Sequence, residues 1–197
     1  MRAFNPILRN LICLLWKKKL DIFPVDLGLW FLKDSHMDFI SYTDADFTGC
    51  KIYRKSNSRS CYFLGSSLVS WSSKKQNSMA LSTTKVEYIV AENCCAQVLW
   101  MIQTLWDFGL EFTKVPVFCD NTSVINLSKN HIQYSWTKHI EIRYHFLRDH
   151  LQKGDISLEF VSTEDQLADI FTKPLDATWF CNFRRNLSFV HLSVLNI

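Results

Sequence analysis

Four acidic residues stand where chemistry could be done: Asp44, Glu87, Asp120 and Asp169. Asp44 belongs to Tyr42-Thr-Asp-Ala-Asp46, which follows the apolar Phe39 and Ile40, and the whole reads as one strand ending in carboxylates. Asp120 ends the continuously apolar run Val115-Pro-Val-Phe-Cys119. Glu87 falls in the first turn of a long helical pattern, and Asp169 early in a last one. Packing gains nothing from a carboxylate at the exit of a buried strand, and desolvating it costs free energy unless something offsets the charge. In open α/β sheets ligands gather at the carboxyl ends of strands, so Asp44 and Asp120 can share one edge. Four converging carboxylates repel one another unless hard cations neutralise them, and magnesium suits that role. Two such ions, roughly 3.5–4 Å apart, can activate a water and stabilise the leaving oxygen of a phosphodiester. Each acid also has a plainer reading. Asp44 and Asp46 can start a turn, Glu87 can complete a capping box with Thr84, Asp120 can open a turn with Asn121, and Asp169 can be a solvated helix residue.

The elements that must position these acids read in the order β-β-β-α-β-α-α-β-α. The opening strand is followed by a polar, basic loop, Lys51 to Arg59. Strands Ser60–Leu64 and Ser67–Ser72 follow, with Gly65-Ser66 between them as a hairpin signal. Ser73 to Ser78 is a polar loop. The longest helix runs from Thr84 to about Phe108, with Ile89, Val90, Ala96, Leu99, Trp100, Ile102, Leu105 and Trp106 near a 3.6 period and Gly109 beyond its end. Strand Val115–Asp120 is apolar on both faces, which favours parallel pairing. Asn121 can cap the helix opening at Thr122. A second clear helix, Lys138 to Lys153, carries the stripe Ile140, Tyr144, Leu147, Leu151 and ends at Gly154. Asp155–Val161 alternates like a strand, and Thr163 opens a last helix bounded by Pro174. Three antiparallel strands, then strands alternating with helices, predict an α/β fold: a mixed sheet with helices packed on it.

Of the 197 residues, 48% are hydrophobic and 21% charged, which excludes global disorder and allows a real core. The net charge of +3 permits a polyanionic partner without arguing for one. Seven cysteines, irregularly spaced and with no CxxC pair, read as reduced thiols of an intracellular protein. The apolar run Ile7–Trp16 is too short to span a bilayer, and Lys17-Lys-Lys19 follows it where a signal peptide would have its basic residues first. It reads as an amphipathic helix of a neighbouring domain, with no membrane role. Basic residues fall in three groups: Lys51, Arg54, Lys55 and Arg59; Lys74 and Lys75; Lys138, His139, Arg143 and Arg148. They could grip phosphates, although such charges are more often simply solvated surface.

At these residues the chain resembles the ribonuclease H domain at the C-terminal end of copia-type retrotransposon Pol polyproteins. The matching text includes Tyr42-Thr-Asp-Ala-Asp46, Cys61-Tyr-Phe-Leu-Gly65, Ser67-Leu-Val-Ser-Trp-Ser-Ser-Lys-Lys-Gln76, Ala80-Leu-Ser-Thr-Thr84 and Glu87-Tyr-Ile89. It continues with Cys119-Asp-Asn121, Thr137-Lys-His-Ile140, Arg143-Tyr-His-Phe146 and Glu164-Asp-Gln-Leu-Ala-Asp-Ile-Phe-Thr-Lys-Pro-Leu175. The resemblance implies a ribonuclease H-like fold with a five-stranded mixed sheet flanked by helices. It implies two-metal hydrolysis of RNA in an RNA/DNA hybrid, using two magnesium ions with manganese as a substitute. Asp44, Glu87, Asp120 and Asp169 match the family's metal-binding acids, with Asp46 and Asp165 as the neighbours that could replace the first and last. Arg54, Lys55, Lys74, Lys75, Lys138, His139 and Arg143 are the expected contacts to nucleic acid. Residues 1–36 would then be the remnant of a connection after a reverse transcriptase domain, 37–175 the ribonuclease H-like domain, and 176–197 a tail. The expected location is cytoplasmic, in a virus-like particle, or nuclear.

Three positions depart from the family pattern. Thr84-Lys85-Val86-Glu87-Tyr88 stands where Thr-Glu-Ala-Glu-Tyr is usual, so a cation replaces an acid near the site. Ser58-Arg59-Ser60 stands where Ser-Gly-Tyr is frequent, and Phe47 replaces a usual Trp. Lys85 favours a second reading, an inactive remnant that at most binds nucleic acid; against a third, another nuclease of the same fold, stand the family motifs themselves.

Overall fold

A computed structural model describes residues 27–29, 37–50, 55–77, 82–129, 138–171 and 189–191. The strands are β1 (Leu27–Leu29), β2 (Phe39–Cys50), β3 (Lys55–Leu64), β4 (Ser67–Lys75), β5 (Val115–Cys119), β6 (Ile156–Phe160) and β7 (Phe189–His191). The helices are α1 (Thr83–Asp107), α2 (Thr122–Lys129) and α3 (Lys138–Lys153). Two short 3-10 turns, Thr163–Asp165 and Leu167–Phe171, follow β6.

Five strands form one mixed sheet in the order β4-β3-β2-β5-β6. The β2-β3-β4 meander is antiparallel, with Gly65 at φ 59° in the second turn, a conformation that suits a residue without Cβ. β5 joins β2 in parallel register, Ser41 beside Val117 and Thr43 beside Cys119, and β6 adds in parallel outside β5. The expected parallel pairing of the apolar strand is thus present. β1 and β7 form a separate antiparallel ribbon with Gly28 opposite Val190, so the lead-in and the tail touch each other there.

Period-2 alternation divides the sheet into two apolar faces. Phe39, Tyr62, Leu64, Val69, Val117 and Cys119 point to the main core, which α1, α2 and α3 cover with residues such as Tyr88, Val98, Met101, Leu105, Val124 and Leu147. Ile40, Tyr42, Cys61, Phe63, Leu68 and Trp71 point the other way, onto Leu167 and Ala168 of the second 3-10 turn. Trp71 stacks on Phe171 there, with ring centroids 5.8 Å apart.

Several boundaries differ from the sequence expectation. Lys55 and Arg59 lie in β3 rather than in a loop, and Ser73–Lys75 continue β4. The ladder explains this: twelve-residue β2 offers partners beyond the apolar part of the hairpin, and strand backbone gains those hydrogen bonds whatever the side chain. α1 is capped by Ser82, whose side chain accepts from the Lys85 N–H at 3.2 Å, so Thr84 and Glu87 do not form the cap. α3 ends at Gly154 as expected, with φ 80° and the Gly154 and Asp155 N–H groups donating to Leu151 and His150 carbonyls. Asn121 caps α2, its side chain accepting from the Ser123 and Val124 N–H groups. The expected last helix is instead a pair of 3-10 turns, because Gln166 between them is extended at φ −74° and ψ 95°. The apolar run Ile7–Trp16 and the bounding Pro174 lie outside the described residues. Among the described residues, no helix is long and apolar enough to cross a membrane.

Cys61, Cys94, Cys95 and Cys119 are buried free thiols. Burial pushes Cys94 up from an ordinary 9.0 to about 11, and Cys119 up to about 12. In the unfolded chain both ionise near the ordinary value, so above pH 9 the unfolded state holds fewer protons than the folded one. This contribution to stability is complete below about pH 9 and is lost as pH rises through the folded values. The unfolding free energy measured in urea should therefore fall between pH 9 and 11, by at most about 1.4 kcal/mol per pH unit per thiol. Cys94→Ala should flatten part of that slope; a slope unchanged in this variant would refute the assignment to Cys94.

Candidate active site

The end of the parallel β2–β5 ladder creates the site. Past Thr43 and Cys119 the two strands no longer pair, and the next residues on them are Asp44 and Asp120. Asp44 is 3% exposed, while Asp120 is half-buried. Glu87 arrives from α1 on the main-core face. It is 7% exposed, and its Oε1 accepts from the Ala45 N–H at 3.3 Å, a group just beyond the ladder. Asp169 arrives from the opposite face on the second 3-10 turn and is 5% exposed. The capping-box reading of Glu87 and the solvated reading of Asp169 are both excluded by these positions.

The segment carrying Asp169 is held by Gln166, which is fully buried. Its Nε2 donates to the Thr43 carbonyl at 2.9 Å, its Oε1 accepts from the Ala168 N–H, and its own carbonyl accepts from the Asp169 N–H. One side chain thus ties the turn bearing Asp169 to the strand bearing Asp44. Thr163 Oγ1 donates to Asp120 Oδ2 at 3.4 Å, and the Val161 N–H donates to the Cys119 carbonyl, so the chain after β6 also reaches β5. Of the paired alternatives, Asp165 is exposed and its carboxylate accepts from Ser162 Oγ at 2.8 Å, an arrangement that braces its own turn. Asp46 shares the sheet face of Asp44 but is the more exposed of the two.

The donors can be tested against a divalent cation. Glu87, Cys119 and Asp120 each offer a ligand atom, and the three atoms lie within 4.8 Å of one another. Burial pushes the Cys119 thiol up to about 12, so it stays protonated and does not compete as a thiolate. Two carboxylates remain, the oxygen donors that magnesium prefers. The Glu87–Asp120 side therefore fits a hard cation.

The Asp44 side is different. Arg59 lies directly opposite Asp44 in the β2–β3 register and on the same face. It is 4% exposed, with its guanidinium 3.7 Å from Asp44 Oδ2 and 3.8 Å from Asp46 Oδ2. Burial lowers the Arg59 pKa, and the charges of Asp44, Asp46 and Asp169 oppose that fall. Lys85, the cation singled out in the sequence, forms no ion pair among the described residues. Sequence reasoning missed the role of Arg59 by placing it in a loop; its signal was the departure from Ser-Gly-Tyr. Gln166 was missed because it looked like one polar residue of a motif.

The expected nucleic-acid contacts divide. Exposed Lys74 and Lys75, with Asn77, Asn93 and Gln97, line a cleft of about 460 Å³ between the meander and α1. Lys55 is half-buried at the start of β3. Arg54 and the side chains of Lys138, His139 and Arg143 lie outside the described residues.

No protein-family model matches the chain. It is 39% identical over 157 residues to the retrovirus-related Pol polyprotein from transposon RE1 of Arabidopsis thaliana, covering 79% of this chain and 11% of that protein. It is 36% identical over 166 residues to the corresponding protein from transposon RE2, covering 84% and 11%. In fold it is similar to the N-terminal RNase H domain of rv2228c from Mycobacterium tuberculosis, solved as a fusion with maltose-binding protein. That match has a TM-score of 0.50 at 11% identity and covers 76% of this chain and 98% of that one. The chain is a homologue of copia-type retrotransposon Pol polyproteins with a ribonuclease H-like fold. The copia-type match spans about a tenth of the length of these polyproteins. Within that tenth, both Asp44 and the Gln166–Asp169 segment fall in motifs through which the chain resembles the copia-type family, whereas Arg59 does not.

Gln166→Ala should cost roughly 1–3 kcal/mol of stability, because a buried carbonyl loses its donor. Urea unfolding measures this. A cost within error of zero would show that the turn bearing Asp169 is held by other contacts.

Proposed function

We propose that the chain is a metal-dependent nuclease domain of the ribonuclease H type, acting on the RNA strand of RNA/DNA hybrids during reverse transcription. The observation that carries this reading is the placement of Asp44 and Asp120 past the end of one parallel ladder, with Glu87 and Asp169 brought in from opposite faces. Asp44, Glu87, Asp120 and Asp169 would be the acids that hold magnesium, or manganese in its place. The ions, when bound, would supply an activated water and charge to offset the leaving oxygen.

The chain's own residues would do the rest. Glu87 and Asp120 would present carboxylates to the cation, with Glu87 held to the Ala45 N–H and Asp120 to Thr163. Gln166 would keep Asp169 in register with Asp44. Lys74 and Lys75 would meet a phosphate backbone along the cleft beside α1, and Arg54, Lys55, Lys138, His139 and Arg143 are proposed as further contacts. Such contacts read charge and shape, and the 2′-hydroxyl would distinguish RNA from DNA. Residues 37–175 would form this domain, 1–36 the end of a reverse transcriptase connection and 176–197 a tail. Its setting would be intracellular, in a cytoplasmic particle or the nucleus, with a reverse transcriptase domain of the parent polyprotein as neighbour.

A second reading, an inactive remnant that still binds nucleic acid, is favoured by one observation: the Arg59 guanidinium beside Asp44. Cleavage of a labelled hybrid in magnesium or manganese separates the two. The nuclease reading expects the RNA strand of the hybrid alone to be cut, and Asp120→Asn to lower the rate by about a hundredfold or more, as expected for loss of metal charge stabilisation. Hybrid binding without cutting would support the remnant instead.

A further inference from the structure

Among the described residues, three of the four buried charged side chains share one sheet face, the fourth being Glu87. Asp44, Asp169 and Arg59 are each 5% exposed or less, and all three belong to the sheet face covered by the 3-10 turns. Taking a guanidinium out of water is unfavourable unless carboxylates compensate it. Here that compensation comes from Asp44, directly across the ladder, and Asp46, two residues along the same strand and face. The converse also holds. Asp44 and Asp46 without Arg59 would be two carboxylates two residues apart on one face, with Asp169 adding a third charge from the turn above. Such a set calls for a cation, and the chain already carries one covalently.

We propose that Arg59 is a built-in cation: its guanidinium holds the place beside Asp44 and Asp46 that a divalent ion would otherwise take, so metal enters this half of the site only by displacing the chain's own side chain. The inference deepens the nuclease reading and rests on it for the identity of the metal-binding acids. It makes the two halves of the site unequal. The Glu87–Asp120 half is open to a hard cation, while the Asp44 half is already neutralised. Lys85, by contrast, has no part in this.

The test compares the full chain with Arg59→Gly, which carries the residue frequent at this place in the resembled pattern, and with Arg59→Gln, which keeps a planar polar group if the glycine weakens β3. Manganese binding is followed by electron paramagnetic resonance, and thermal unfolding is recorded in EDTA and in magnesium. Both variants should bind manganese about tenfold more tightly than the parent, or with one more ion per chain, and a tenfold change is well resolved. Magnesium should raise their Tm by more than it raises that of the parent. Asp44→Asn gives a second, independent sign. In the parent it should lower the Tm in EDTA, because Arg59 loses its partner. In the Arg59→Gly background it should raise the Tm, because carboxylate repulsion is relieved. Equal manganese affinity and equal stoichiometry in all three proteins, or an Asp44→Asn effect of the same sign in both backgrounds, would overturn the proposal. Hybrid cleavage is scored separately. Tighter metal binding without cutting would leave the built-in cation standing and sink the nuclease reading. Robust cutting by the parent, with no gain in metal affinity in the variants, would do the reverse.

Discussion

The parallel pairing of β2 with β5 is the contact on which the rest of the molecule depends. A parallel ladder cannot be closed by a tight turn, so the chain must cross over through α1 between the two strands. That crossover delivers Glu87 to the same sheet edge where the two strands end. The ladder stops at Thr43 and Cys119, and the unpaired backbone just beyond it, at Ala45, is what Glu87 hydrogen-bonds. Shifting the register of either strand by one residue would turn that strand's side chains to the other face. Asp44 would then leave the turn bearing Asp169, and Asp120 would leave Glu87.

Charge, more than apolar packing, distinguishes the two faces of the sheet. The main core is apolar and closed by three helices, with its buried thiols neutral. The opposite face has a much smaller apolar patch, Cys61, Phe63, Leu68 and Trp71 under Leu167 and Ala168, and beside it a buried arginine among carboxylates. A thin cover of two 3-10 turns suffices there because Gln166 and the Trp71–Phe171 stack fasten it at two points. The same cover excludes water from Asp44 and Arg59, which strengthens their attraction and raises the cost of separating them.

This arrangement changes what ancestry can be taken to say about activity. Homology to copia-type Pol polyproteins rests on the sequence matches, and the ribonuclease H-like fold on the five-stranded mixed sheet and its likeness to a solved RNase H domain. One substitution outside those acids alters the electrostatics of the set. A glycine at position 59 would leave the face of β3 opposite Asp44 bare; an arginine there brings a positive charge within 4 Å of it. The acids can therefore persist while their affinity for metal changes.

Much of the fold was legible in the residues themselves. The meander, the long helix, the apolar parallel strand, the Asn121 cap and the Gly154 stop all follow from local rules of period, turn chemistry and capping, and these act between residues near in sequence. The four acids were legible as candidates because a carboxylate at the end of an apolar strand has no packing use. Whether Glu87 capped its helix, whether Asp165 or Asp169 turned inward, and whether Arg59 was a solvated loop residue could not be read there. Those outcomes depend on partners far away in the chain: Ala45 for Glu87, Thr43 for Gln166 and thus for Asp169, Asp44 for Arg59. Which charges exist, and which strands they end, follows from the residues alone. Which of them share a buried space depends on the fold, because the cost of burying a charge is set by the neighbours that folding brings to it.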